Sequence, residues 1–167
     1  ITQIPVDKFG LIDPDYIKKS LKKDTILVSV IWGNNEIGTI QPITEIGKIA
    51  QRHRVYFHTD ACQAGMLDLD ITKLHVDLMS LNGSKIYGPK GSGILYKKNG
   101  IPIHPLLHGG EQEGGLRSGT ENVAGIVGFA KALSLVQEHK EQETKSMMTL
   151  RDVLIRGILT SIPHTSL

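Results

Sequence analysis

The stretch Thr25-Ile26-Leu27-Val28-Ser29-Val30-Ile31, TILVSVI, is an apolar run rich in β-branched residues, bounded by Asp24 and followed closely by Gly33. A continuous run of this kind reads as a buried strand rather than a half-exposed one, because it lacks polar alternation. The next two segments decide the arrangement. Pro42 to His53 carries isoleucine at 43, 46 and 49, the spacing of one helix face, and Val55 to His58 returns as a strand. Strand, helix and strand in that order make a βαβ unit, with its two strands parallel.

The pattern continues on both sides. Asp13-Pro14 opens a short helix through Leu21, with the aspartate as cap and proline at the first helical position. Val76 to Leu81 and Gly93 to Lys97 read as further strands, and Asn122 to His139 and Glu141 to Leu159 as two helices. The first of these is apolar at Val123, Ile126, Val127, Ala130 and Leu133. The fold class is therefore α/β with a largely parallel sheet. In such sheets ligands gather beyond the carboxyl ends of the strands.

The chain has 167 residues, 40% of them hydrophobic, enough to build a sizeable core. A net charge of +2, with the basic residues scattered, does not point to nucleic acid. No apolar run reaches membrane-spanning length. The single cysteine, Cys62, excludes an internal disulfide and any paired-cysteine metal site, and favours a reducing, cytoplasmic setting. Ile1-Thr2-Gln3-Ile4-Pro5 has neither an initiator methionine nor a signal-peptide pattern, so the chain is expected to be a piece of a longer protein.

Three polar clusters fall at strand ends. Gly33-Asn34-Asn35-Glu36-Ile37-Gly38 offers amide donors on a tight turn, which is also what an ordinary Asn/Gly loop contains. His58-Thr59-Asp60-Ala61-Cys62-Gln63 runs an apolar strand into a carboxylate, whose burial would need a cationic partner. A helix cap is the plainer alternative for Asp60, and Cys62 reads as a small packing residue. Ser80-Leu81-Asn82-Gly83-Ser84-Lys85-Ile86-Tyr87-Gly88-Pro89-Lys90-Gly91 sets two lysines among glycines, without the Gly-x4-Gly-Lys-Ser/Thr spacing of a nucleotide loop. Together the clusters supply an amine for an aldehyde, an anion for a ring nitrogen and donors for a phenolic oxygen, the set that holds pyridoxal phosphate.

The blocks NNEIG at 34–38, HTDACQ at 58–63, NGSKIYGPKG at 82–91 and HGGEQEGGLRSGT at 108–120 resemble the cysteine desulfurases, in the class V aminotransferase branch of pyridoxal-phosphate enzymes with the aspartate aminotransferase type of fold. The resemblance implies that Lys85 forms the Schiff base and that Asp60 pairs with the pyridine nitrogen. It implies that Gln63 and Asn35 bond the phenolic oxygen side, while Asn82, Gly83 and Ser84 line the phosphate cup. Ser84 departs from the histidine of many relatives, which changes the donor. Thr120 resembles the residue that reaches the phosphate of the neighbouring subunit's cofactor, which implies a homodimer with shared active sites. Lys90 becomes a structural lysine of the turn, and Lys85 is expected to be partly desolvated by close-packed glycines.

By the same resemblance, residues 1–138 belong to the large cofactor-binding domain and 139–167 to a long helix leading into the small C-terminal domain. The implied activity converts L-cysteine to L-alanine and an enzyme persulfide, passed to a sulfur-acceptor protein of iron–sulfur cluster assembly or tRNA thiolation. The catalytic cysteine loop would lie beyond Leu167, and Cys62 does not match it. A selenocysteine lyase, a class V aminotransferase or a non-catalytic binding module on the same fold are the alternatives. The first two turn on the missing loop.

Overall fold

Strands β1 (Leu27–Ile31), β2 (Tyr56–Asp60), β3 (Leu78–Asn82) and β4 (Gly93–Lys97) lie side by side in chain order in the computed structural model, which describes Ile1–Leu167. β1, β2 and β3 are parallel, and β4 returns antiparallel to β3. Helices α1 (Pro14–Ser20), α2 (Ile43–His53), α3 (Ile71–Leu74) and α4 (Val123–Ser161) complete the chain. No helix is long and apolar enough to cross a membrane.

The expected βαβ unit is present as β1, α2 and β2. Side chains alternate along each strand, so Val30, Phe57, Thr59, Met79 and Leu81 point into one buried layer with Ile17 of α1, Ile43, Ile46 and Ala50 of α2 and Leu74 of α3. α2 ends where Arg54 turns into the left-handed region and its N–H bonds back to the Ala50 and Gln51 carbonyls. Gln41, itself buried, fixes the entry to α2: its Nε2 donates to the Gly10 carbonyl at 2.6 Å and its Oε1 accepts from the Ile12 N–H at 2.9 Å. The loop ahead of α1 is thereby tied to the end of the β1 crossover.

Two expectations are corrected. β1 is shorter than Thr25–Ile31 and is not buried on both faces: Thr25 closes a turn, accepting from the Lys22 N–H at 2.9 Å, and Leu27 and Ile31 are exposed. The strand lies at a sheet edge, and the helices of this chain cover one face of it. The break expected between His139 and Glu141 is also absent, because α4 runs unbroken over 39 residues. Residues 138–145 contain no glycine or proline, and Lys140 is held by Gln137 Oε1 at 3.1 Å and faces Asp68 at 3.8 Å, so nothing stops the helix there.

The glycines of the lysine-bearing stretch pack beneath it. Gly83 donates to the Ser92 carbonyl and Gly88 to the Gly83 carbonyl, each at 2.9 Å, folding residues 83–92 into a tight turn. A Cβ on Gly83 would stand 2.8 Å from the Phe129 ring of α4 and 2.9 Å from the Pro89 carbonyl oxygen. Gly83→Ala is therefore expected to cost about 1–3 kcal/mol through overpacking. A urea midpoint unchanged from the parent would show that the turn gives way without strain.

Candidate active site

The carboxyl ends of β1, β2 and β3 converge through backbone hydrogen bonds. Trp32 N–H, just past β1, donates to the Asp60 carbonyl at 2.8 Å, and Ala61 N–H donates to the Ser80 carbonyl at 2.9 Å. Asp60 and Ser80 are partners in register. The backbone of Gln63 passes close to Gly33, where an added Cβ would lie 3.7 Å from the Gln63 carbonyl oxygen. The three strand-end clusters thus adjoin one another along one edge of the sheet.

Asp60 is the last residue of β2 and is half-buried. Its Oδ1 accepts from the Cys62 N–H at 3.0 Å, a local turn and not a helix cap, and Oδ2 carries no hydrogen bond. Cys62 has its thiol pushed up to about 11, first by burial and then by the Asp60 carboxylate beside it, while the Lys85 ammonium acts in the opposite direction. Lys85 comes shortly after β3, whose Ser80 is in register with Asp60, so both residues belong to the same end of the sheet.

Lys85 closes a 3₁₀ turn, Gly83–Lys85, that starts directly after β3. Its side chain is exposed, which corrects the expectation of a desolvated lysine: the glycines pack under the turn, toward Phe129, and do not enclose the amine. Asn82 caps this turn, its Oδ1 accepting from both Ser84 N–H and Ser84 Oγ at 3.0 Å. The Ser84 hydroxyl proton is therefore committed to Asn82, and the Asn82 amide nitrogen remains open as a donor.

In the NNEIG block the two asparagines divide the work. Asn34 Oδ1 accepts from the Glu36 and Ile37 N–H groups at 2.8 and 3.0 Å, holding the loop, whereas Asn35 is exposed and makes no side-chain hydrogen bond. Gln63 is likewise exposed and unbonded. Thr120 stands apart from this group. It lies just after a loop closed on itself by Ser118 Oγ donating to the Gly110 carbonyl at 2.7 Å and Gly119 N–H donating to Gln112 Oε1 at 3.0 Å. Asn122, not Thr120, caps α4, accepting from the Gly125 N–H at 3.0 Å.

Two contributors escape a sequence reading. Gln137 of α4 reaches back and donates to the Gly65 and Leu67 carbonyls at 2.6 and 3.0 Å, securing the segment just after Gln63. His58 is gripped on both ring nitrogens, by Ser29 Oγ at 2.8 Å and Ser80 Oγ at 2.9 Å. No sequence signal announces either, because the partners lie on other elements.

The free groups at this edge are an amine, half a carboxylate and several amides, which is chemistry suited to an anionic aldehyde on a basic ring. A family model for aminotransferase class V matches residues 1–167. The chain belongs to the class V aminotransferase family. It is 52% identical over 168 residues to a cysteine desulfurase IscS of Methanosarcina thermophila, covering 100% of this chain and 41% of that protein. It is also 52% identical to the cysteine desulfurase IscS of Dictyoglomus turgidum, over 95% of this chain and 40% of that one. Among solved structures, a NifS-like protein superposes with a TM-score of 0.91 at 42% identity, over 95% of this chain and 44% of that one. This class V chain thus spans about two fifths of the length of the curated relatives it matches. Its mixed sheet, parallel except at β4, has the architecture of the NifS-like structure.

Within this class V site, Cys62 is expected to be inert. Its raised pKa leaves roughly a hundredfold less thiolate than an ordinary cysteine, so iodoacetamide at about pH 8 should alkylate it correspondingly slowly. Cys62→Ala should cost under about 2 kcal/mol of stability in the full-length protein. Alkylation as fast as that of an exposed cysteine would reverse that assignment.

Proposed function

We propose that the full-length protein is a pyridoxal-phosphate-dependent cysteine desulfurase, converting L-cysteine to L-alanine and leaving the sulfur as a persulfide on a protein thiol outside this chain. The observation that carries the reading is the placement of Asp60 at the end of β2 and of Lys85 just after β3, both at the carboxyl edge of the parallel strands. Bound pyridoxal phosphate supplies the electron sink that the chemistry at the substrate's carbons needs. The protein's part is to hold and tune it. Lys85 provides the amine that attaches the aldehyde, and Asp60 presents its free oxygen to the pyridine nitrogen. Asn35 and Gln63, both without internal partners, serve the phenolic oxygen side. The Asn82 amide, with Gly83 and Ser84, lines the phosphate end, where Ser84 must release Asn82 before its hydroxyl can donate.

The persulfide passes to a sulfur-acceptor protein, an iron–sulfur scaffold or a tRNA-thiolation enzyme, in the cytoplasm. Residues 1–138 form part of the large domain and 139–167 lead into the small one, a division supported by the loss of burial along α4 after Val136. Full-length protein supplied with pyridoxal phosphate should show visible Schiff-base absorbance and form one L-alanine per sulfur released from L-cysteine. Absorbance without alanine would reject the desulfurase while keeping the cofactor.

The active form is a homodimer in which Thr120, exposed and unbonded in its own chain, serves the partner's phosphate. Mixing full-length Lys85→Ala and Thr120→Ala subunits builds one site of the heterodimer from intact residues on both sides. That mixture should recover activity above either homodimer. Exchanged subunits without recovery would confine Thr120 to its own subunit or remove it from the site.

A further inference from the structure

The polar row beneath Asp60 is not accounted for by cofactor contacts. Strand alternation puts Ser29, His58 and Ser80 on the same sheet face as Asp60, and three neighbouring strands contribute one residue each. The ring spans them, Nδ1 bonded to Ser29 Oγ at 2.8 Å and Nε2 to Ser80 Oγ at 2.9 Å. Ser80 is in register with Asp60, and His58 lies two residues before it, about 6.6 Å along the strand. A ring tied at both nitrogens cannot swing toward the carboxylate.

We infer that His58, braced between Ser29 and Ser80, is a positioning residue that stands beside Asp60 as an uncharged ring and so leaves the carboxylate's charge for the cationic ligand nitrogen. This role for the brace rests on the pyridoxal-phosphate reading of the site. Neutral imidazole has one donor and one acceptor, and hydroxyls can supply either role, so the two serines satisfy both ring nitrogens in either tautomer. An imidazolium held in the same place would act on Asp60 through space and weaken the carboxylate's pull on a cationic ligand nitrogen.

The surroundings favour the neutral ring. Burial pushes the His58 imidazole down from its ordinary range, and the Asp60 carboxylate, which pulls the other way, is the weaker influence. On the same face, β2 adds Tyr56, while β1 and β3 place Leu27, Leu78 and Asn82 there and no further ionisable group. β4 brings Lys97 into register with Leu78, but its Nζ donates to the Ile101 carbonyl at 3.1 Å. Asp60 is thus the one acid on the row, with a neutral brace for its neighbour.

Two measurements on full-length protein test this. In cofactor-free protein, the ¹⁵N resonances of His58 should show one protonated and one bare ring nitrogen at about pH 7.5, and the ring should take its second proton only at a pH below that of an ordinary exposed histidine. A ring doubly protonated at about pH 7.5, or one that titrates at or above the pH of an exposed histidine, would overturn the inference whatever the ligand is. In cofactor-loaded protein, the readout is the ratio of affinities for pyridoxal phosphate and its 1-deaza analogue, which lacks the ring nitrogen. Asp60→Asn should collapse that ratio. His58→Gln, an uncharged donor and acceptor of similar reach, should keep the parent ratio, and His58→Lys should lower it by at least about tenfold. A merely structural His58 would weaken both ligands equally, so a parent ratio in His58→Lys, or a collapsed one in His58→Gln, would overturn the inference. An unchanged ratio in Asp60→Asn would instead strike the cofactor reading, leaving the resonance measurement to decide the state of the brace.

Discussion

Replacing Lys85 by alanine in the full-length protein is expected to abolish borohydride-trapped pyridoxal phosphate and lower turnover by on the order of a thousandfold or more, whereas Lys90→Ala keeps both. The two lysines share one glycine-rich turn and differ in where the chain leaves them. Lys85 ends the 3₁₀ turn that begins where β3 stops, at the end of the sheet where Asp60 closes β2. Lys90 lies farther along, in the turn that carries the chain back as β4, next to Gly91 in the left-handed region. Its place is set by that reversal. Peptide mapping after borohydride reduction separates the two, and trapping on Lys90 would remove Lys85 from the site. The exposed amine of Lys85 does not weaken the expectation, because a lysine that must meet an incoming aldehyde has to be reachable.

The architecture could be read from short-range patterns. Isoleucine spacing in α2 and the apolar strands on either side of it needed no distant partner, and the βαβ unit is a consequence of their order. Burial could not be read the same way. TILVSVI looks fit for an interior strand, yet Leu27 and Ile31 are exposed because burial on a second face depends on a second layer, a property of the assembly and not of the run. The unbroken α4 shows the converse, where Asn122–His139 and Glu141–Leu159 read as two helices although no residue between them breaks one.

At the site, residue types were legible and divisions of labour were not. Asn34 and Asn35 are equivalent as letters, and only folding spends the first on the loop and frees the second. Thr120 and Asn122 are both acceptable caps by composition, and Asn122 takes the role. His58 finds its serines 29 and 22 residues away in sequence, a pairing that parallel strand register creates and no local motif encodes.

Asp60→Asn should retain pyridoxal phosphate and lose turnover by about a hundredfold or more. The amide keeps the size of the side chain and can still accept from the Cys62 N–H at 3.0 Å, so the local turn survives. What disappears is the negative charge that, on the proposed reading, would favour protonation of the pyridine nitrogen and with it the ring's capacity to take up electrons. On the proposed reading, binding would draw also on Lys85, Asn35, Gln63 and the phosphate end, and so should be less affected. The separation of retained cofactor from lost rate is the informative result. Near-normal turnover in a variant with full cofactor content would mean that the charge at the end of β2 serves the turn around Cys62 alone, and the pyridine nitrogen would need another partner.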